Sequence, residues 1–148
     1  ASAFAAEIGT MTVNEEISAL RTMGIEPVRF LALPRVLAVA VALPLLSIFA
    51  GLAGLAGGFL VISSLGYSFQ AYCTHAIDFV KPSDLLVTLS KAVVFGVLIG
   101  GVGCLRGLQT GKGADSVGRS TTRAVVSSII AFAVADGIFA VVFYVLGI

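Results

Sequence analysis

The longest uncharged stretch of the sequence runs from Val36 to Thr74, and it limits the fold more than any other feature. Its most apolar part is residues 37–65. A helix crosses the hydrocarbon core of a bilayer with about 20 apolar residues, so this part predicts one long or tilted transmembrane helix. Two crossings would need about 40 residues and a turn, more than this part provides.

Two further apolar stretches, residues 85–105 and residues 124–148, are each long enough to cross a bilayer. The first contains one charged residue, Lys91, and the second contains only Asp136. In the whole chain 11% of residues are charged, whereas soluble domains carry about 25%. The sequence therefore predicts an all-α, multi-pass integral membrane protein, with about three transmembrane helices in a single domain over residues 1–148.

The charged segments between the apolar stretches predict the orientation. Residues 106–123 carry four basic side chains and one acidic one, whereas residues 66–84 carry one basic and two acidic ones. Because positively charged loops stay in the cytoplasm, we expect residues 106–123 inside and residues 66–84 outside. Residues 1–35 then lie inside. Their basic residues agree with this: Arg21, Arg29 and Arg35.

A short amphipathic helix is predicted at residues 13–23, just before the first apolar stretch. Thr12 and Glu15 match a capping box, with Thr12 as the N-cap. Three apolar residues follow at helical spacing: Ile17, Leu20 and Met23. Gly24 is a suitable residue after the helix end, and Pro27 prevents its continuation.

A short helix beside a membrane span has two common uses. It lies on the lipid surface, or it docks into a groove of a soluble protein. Surface-bound helices favour Lys and Arg, but this segment carries Glu7, Glu15 and Glu16, which anionic headgroups repel. We therefore expect docking to a protein. A solvated helix without a partner remains the alternative.

Catalytic motifs are weak or missing in this sequence. Its one histidine, His75, does not assemble a Ser-His-Asp set or a metal cluster with its neighbours. The segment at residues 107–113 differs from a P-loop in the spacing of its glycines and in having Gly113 after Lys112. We expect no enzymatic activity and no cofactor in this chain. Its net charge of +1 gives no reason to expect a nucleic-acid partner.

The remaining distinctive segments are residues 6–11 (AEIGTM), 14–17 (NEEI), 19–25 (ALRTMGI), Pro27, 33–35 (LPR) and 118–126 (GRSTTRAVV). Together these blocks resemble the MlaE-type permease, the membrane subunit of ABC transporters that work with MCE proteins. The resemblance covers essentially the whole chain. Permeases of this type have about five membrane helices and further sequence before the EIGTM block. The resemblance therefore implies that this chain is the C-terminal part of a five-helix permease.

The resemblance also implies a role for the short helix, which would be a coupling helix docked on a cytoplasmic ABC ATPase that binds the ATP. By position, its contact residues would be Glu15, Glu16, Ile17, Leu20, Arg21 and Met23. The implied substrate is phospholipid, moved between the bacterial inner membrane and a periplasmic MCE-domain protein. A permease homodimer is implied as well. The alternative is a non-transporting scaffold that anchors a soluble partner through the same helix.

Lys91 and Asp136 are charged residues in otherwise apolar stretches. A charge inside a membrane is costly and marks a functional position by default. At 1.5 Å per residue, Lys91 lies about 9 Å below the outer end of its stretch and Asp136 about 18 Å above the inner end. We predict that they pair or line a polar cavity on the substrate path. A pair that only fixes helix packing, or a Lys91 that extends to the interface, remains open.

Small and aromatic residues in the apolar stretches predict further contacts. Gly54 with Gly58, and Gly96 with Gly100, form small-x-x-x-small patterns that permit close helix packing or a dimer interface. Four aromatic residues cluster around the predicted outer end of the first stretch: Phe59, Tyr67, Phe69 and Tyr72. They are typical of an interfacial belt, and contact with a periplasmic partner is the alternative.

Overall fold

The computed structural model describes residues 1–79 and 82–146, and within them three helices are long and apolar enough to cross a membrane. The predicted all-α membrane fold is confirmed. The helices are α1 (Ser2–Val13), α2 (Glu16–Thr22), α3 (Leu33–Ser64), α4 (Phe69–Phe79), α5 (Pro82–Leu108) and α6 (Ala114–Leu146), and a π-helical turn, Val28–Ala32, precedes α3.

The three long helices α3, α5 and α6 correspond to the predicted spans at residues 37–65, 85–105 and 124–148. Their ends differ because a helix keeps its own backbone hydrogen bonds after it leaves the bilayer. α6 in particular begins at Ala114, within the segment predicted as a loop. Lys81, Gly147 and Ile148, which belong to the sequence predictions, lie outside the described residues.

Neighbouring long helices run antiparallel, with α5 between α3 and α6: Gly96 and Gly100 meet Ala40 and Val36, and Lys91 and Arg106 meet Asp136 and Ser127. α1 packs against α5 and α6 at one end of this bundle, called here the α1 end, and α4 packs against α3 at the other, the α4 end. The predicted close contact at Gly96 is confirmed, because a Cβ there would lie 2.8 Å from Ala40 Cα. Gly54 differs, since a Cβ there would meet nothing within 4 Å.

The start of the predicted helix at residues 13–23 is wrong. Thr12 lies inside α1, and its hydroxyl donates to the carbonyl oxygens of Ile8 at 2.8 Å and Gly107 at 3.3 Å instead of capping a helix. α2 begins at Glu16, and Glu15 before it adopts a left-handed φ of 61°. The capping pattern fails because α1 continues through Thr12 to Val13, so this threonine does not begin a new helix.

The segment predicted as an outer loop at residues 66–84 contains the helix α4. Aromatic side chains attach α4 to α3. The Tyr72 hydroxyl donates to the carbonyl oxygen of Leu55 at 2.8 Å, and the rings of Phe59 and Phe69 pack edge to face with centroids 5.1 Å apart. The predicted aromatic cluster therefore forms between two helices, with Tyr67 exposed beside it.

Buried apolar residues are concentrated at the α1 end of the bundle. They form one cluster: Ile8, Ile17, Leu31, Ala32 and Cys104. Along the rest of the bundle the long helices expose large apolar side chains, such as Phe49 and Leu60. This surface is unfavourable in water but suits contact with hydrocarbon chains.

Candidate functional site

Lys91 on α5 and Asp136 on α6 form an ion pair between two long apolar helices. Lys91 Nζ donates a hydrogen bond to Asp136 Oδ1 at 2.9 Å. The lysine side chain is 25% exposed and the aspartate side chain 50%. The predicted pairing is confirmed. Each charge lowers the cost of placing the other at this depth, and the pair stays accessible from one side.

Aromatic rings of α6 surround the ammonium group of Lys91. Its Nζ lies 5.6 Å from the ring centroids of both Phe139 and Phe143, within the range of cation–π attraction. Phe95 of α5 packs edge to face against Phe139, with the centroids 5.9 Å apart. These contacts hold Lys91 toward Asp136 instead of letting it extend along α5.

A groove of about 550 Å³ lies between α3, α5 and α6, and the ion pair forms part of its wall. The other lining residues are Leu43, Leu46, Ser47, Ala50, Thr88, Ala92, Phe95, Ile99 and Phe132. The hydroxyls of Ser47 and Thr88 each donate to a carbonyl of their own helix, at 2.7 Å. Lys91 and Asp136 therefore supply the charge in an otherwise apolar groove, a lining that suits a ligand with one polar and one long apolar part.

At the α1 end, α1 lies very close to α5 because glycine leaves room for it. A Cβ on Gly107 would lie 2.7 Å from Ile8 Cβ, and a Cβ on Gly9 would lie 2.8 Å from Thr110 Oγ1. A larger residue at Gly107 would push α1 and α5 apart, and one at Gly9 would displace the Thr110 side chain that follows α5. The hydrogen bond from Thr12 to Gly107 also fixes the register of α1 against α5.

Polar side chains connect the end of α5 to the start of α6. The buried hydroxyls of Thr110 and Ser120 are 2.8 Å apart and share a hydrogen bond. Arg106 Nη2 donates to Ser127 Oγ at 2.9 Å. Because α1 also packs on both helices, α1, α5 and α6 form one connected unit at this end.

α2 lies on the surface of this unit, and the six residues predicted to contact an ATPase fall into two groups. Four are exposed: Glu15, Glu16, Arg21 and Met23. The other two, Ile17 and Leu20, pack against the buried cluster. Ile17 is only 6% exposed and Met23 is 66% exposed, so the predicted apolar edge is not continuous. Ile17 anchors α2 to the protein instead of facing a partner.

An ion pair closes the segment that carries α2. Arg35 Nη2 at the start of α3 lies 2.5 Å from Glu7 Oε1 on α1. Arg35 Nη1 also donates to the carbonyl oxygen of Leu31, at 3.1 Å, within the π-helical turn. α1 and α3 are therefore joined directly at the two ends of this segment.

Sequence reasoning did not identify the pair formed by Glu7 and Arg35 or the pair formed by Thr110 and Ser120. One signal was available for the first pair, because the AEIGTM and LPR blocks each contain one partner. Among residues 1–79 and 82–146, no three His, Cys, Asp or Glu side chains are placed to hold a metal ion.

Comparison with known proteins points to one family along nearly the whole chain. A family model described as Permease MlaE matches residues 1–142. The chain is 38% identical to a probable ABC transporter permease protein of Rickettsia prowazekii, over 97% of this chain and 56% of that protein. It is 43% identical to a probable ABC transporter permease protein of Synechocystis sp., over 91% of this chain and 52% of that protein.

A plant protein is also similar. The chain is 38% identical to Protein TRIGALACTOSYLDIACYLGLYCEROL 1, chloroplastic, of Arabidopsis thaliana, over 97% of this chain and 41% of that protein. The chain thus spans about half the length of the relatives it matches.

Proposed function

The chain belongs to the MlaE permease family, and from this premise we propose that it moves phospholipid between the bacterial inner membrane and a periplasmic MCE-domain protein. As a permease with three membrane-length helices it is a multi-pass membrane protein. In this proposal it is the transport subunit of an ABC transporter. A separate cytoplasmic ATPase binds and hydrolyses ATP.

The groove beside Lys91 and Asp136 is the observation that carries the lipid proposal. It opens between membrane-length helices, is apolar along most of its wall and contains one ion pair. The ammonium of Lys91 would attract the phosphate of a headgroup, while the apolar wall would accept acyl chains. Asp136 would hold Lys91 in place when no lipid is bound. Both residues thus belong to the proposed substrate path.

The surface of α2 supports the proposed contact with the ATPase. Glu15, Glu16, Arg21 and Met23 present both charge signs and one apolar side chain. Ile17 and Leu20 anchor the opposite side of the helix to the buried cluster. A short helix with an anchored apolar side and an exposed mixed side can dock into a groove of a soluble partner without unfolding.

Glycines on α3 support the proposed homodimer. A Cβ built on Gly51, Gly54 or Gly57 would meet nothing within 4 Å in this chain. Small residues let membrane helices approach each other closely. A second permease copy on this face would bury these glycines.

A non-transporting scaffold remains the alternative function. It would use the same exposed residues of α2 to anchor a soluble partner at the membrane. The two functions differ in one measurable property: a scaffold assembles the complex but moves no lipid when ATP is added.

The first experiment reverses the charge of α2. Glu15→Lys/Glu16→Lys is introduced into the full-length permease, which is reconstituted with its ATPase and MCE protein. The matched control is Lys112→Glu, which reverses an exposed charge outside α2 that forms no ion pair among the described residues. We expect ATP-dependent lipid transfer to fall to background in the first variant and to persist in the control. Equal transfer by both variants would refute coupling through α2. A wild-type complex that assembles but transfers no lipid would favour the scaffold.

The second experiment identifies what the complex carries. Lipids are extracted from the purified wild-type complex and from Lys91→Met/Asp136→Leu, and both extracts are analysed by mass spectrometry. We expect phospholipid in the wild-type extract and less of it in the variant. A bound solute that is purely water-soluble would refute the lipid proposal.

A further inference from the structure

Arg119 and Arg123 lie on the part of α6 that precedes its predicted membrane span. They are four residues apart, so they share one face of the helix and are separated by about 6 Å along its axis. Both are exposed, and neither forms an ion pair with any residue that the structure describes. By contrast, Arg29 and Arg35 pair with glutamates, and Arg106 donates to Ser127.

A shallow, open groove of about 540 Å³ runs along the face of α6 that carries these two arginines. Gly118 forms part of it, and a Cβ there would meet nothing within 4 Å, so the space beside Gly118 is open. The groove also contains one acid, Asp115, which leaves an excess of one positive charge. The charge of the groove therefore favours an anion.

The same face of α6 becomes apolar where the predicted span begins. Val126, Ile130 and Val134 continue the spacing of three and four residues that starts at Arg119 and Arg123. All three are exposed. One helix face thus presents two basic side chains followed by a continuous apolar stripe, which matches in order the headgroup and acyl chain of a lipid lying along the helix.

We propose that Arg119 and Arg123 bind the headgroup of an anionic phospholipid in the cytoplasmic leaflet, with its acyl chain along Val126 and Ile130. The position of Arg123 just before the span places its guanidinium at headgroup depth. Arg119 lies about one helical turn farther from the hydrocarbon core. This inference rests on the orientation predicted from the charges of the loops, not on the proposed transport of phospholipid. It adds a lipid site outside the groove of Lys91 and specifies its leaflet and charge.

The test measures bound lipid, not transport. The full-length permease with its ATPase is placed in phosphatidylcholine nanodiscs containing increasing amounts of phosphatidylglycerol, and bound lipid is counted by native mass spectrometry. Arg119→Gln and Arg123→Gln should each weaken phosphatidylglycerol binding about 5-fold, and both together about 30-fold. The matched control Lys112→Gln removes an exposed cation outside the groove and should change binding less. Arg119→Lys/Arg123→Lys keeps the charge and should retain most of the binding.

Four outcomes would overturn the proposal. Arg119→Gln/Arg123→Gln binds phosphatidylglycerol no more weakly than Lys112→Gln does. The arginine variants lose bound phosphatidylcholine to the same extent as phosphatidylglycerol. Added inorganic phosphate displaces the lipid, which would assign the site to a free anion. The ATPase dissociates from the variant while phosphatidylglycerol stays bound, which would assign the arginines to a protein contact. Because ATP-dependent transfer is measured separately, failure here leaves the proposed transport function intact, and failure of transport leaves this lipid site intact.

Discussion

The guanidinium of Arg35 lies 2.5 Å from the carboxylate of Glu7, and this contact turns the segment that carries α2 into a closed loop. Without it, α2 would be attached to the bundle only through the chain and through the packing of Ile17 and Leu20. With it, α1 and α3 are also joined directly, so a force on α2 reaches both helices together. Since α1 packs on α5 and α6, and α3 packs on α5, every long helix is connected to this contact.

Breaking this ion pair should uncouple α2 from the long helices. Glu7→Gln or Arg35→Gln should lower the free energy of unfolding by about 1 kcal/mol, since the pair is only partly buried. The number of lipids moved per ATP hydrolysed should fall more strongly. Both quantities are measured on the reconstituted complex. The swapped variant Glu7→Arg/Arg35→Glu should recover part of the coupling, and a swap no better than the single variants would contradict this role.

Glu15 combines a strained backbone with an exposed carboxylate, and two substitutions separate these properties. Its φ of 61° costs a residue with a Cβ about 1 kcal/mol or more. Glu15→Gly should therefore raise the unfolding free energy by about 1 kcal/mol, while Glu15→Ala should not. Both variants lack the carboxylate, so both should weaken ATPase binding to the same extent. Unequal binding would show that the turn, not the charge, matters.

The contact between α1 and α5 should fail when Gly107 acquires a side chain. A Cβ there would lie 2.7 Å from Ile8 Cβ, so Gly107→Ala should cost about 1–3 kcal/mol of stability. Gly101 is the matched control, because a Cβ there would meet nothing within 4 Å. Gly101→Ala should be neutral or more stable by about 0.5–1 kcal/mol. Thermal unfolding in detergent gives both values, and equal midpoints would refute the close approach.

Some of this structure follows from the sequence because its determinants are local. A long apolar run predicts a membrane-length helix independently of the surrounding segments. The fixed rise per residue of a helix then places Lys91 and Asp136 at similar depths. Pairing between them then follows from the cost of a single charge in hydrocarbon.

The errors arise where a distant residue decides the local structure. Thr12 has the sequence of an N-cap, but it lies inside α1, where its hydroxyl bonds to Ile8 at 2.8 Å and to the distant Gly107 at 3.3 Å. α4 has no strong pattern of its own and is attached through Tyr72 to Leu55 on α3. The ion pair between Glu7 and Arg35 likewise depends on how α1 and α3 meet. No reading of one segment alone reveals these three contacts.

Neutralising Lys91 and Asp136 together should be milder than neutralising either alone. Lys91→Met or Asp136→Leu leaves one uncompensated charge in the membrane, which costs about 2.5–3.5 kcal/mol at the centre of a helix. Lys91→Met/Asp136→Leu leaves none. We expect folded yield and stability to fall in both single variants and to recover in the double variant. A double variant as unstable as the sum of the singles would contradict the pairing.

The double variant also separates packing from transport. If the pair serves only to pack α5 against α6, lipid transfer should recover along with stability. If the pair recognises the headgroup, as proposed, transfer should stay low in the stable double variant. The measurement is ATP-dependent lipid transfer per folded complex.

The 2.9 Å separation between Lys91 and Asp136 has an electrical consequence. A single charge that crosses the membrane field changes the energy of a protein by about 2.3 kcal/mol per 100 mV. Two opposite charges that move together transfer no net charge, so the membrane voltage does almost no work on them. Rearrangements of α5 and α6 that keep the pair intact therefore gain no voltage dependence from these two charges. Any voltage dependence of such a rearrangement must therefore come from charges outside this pair.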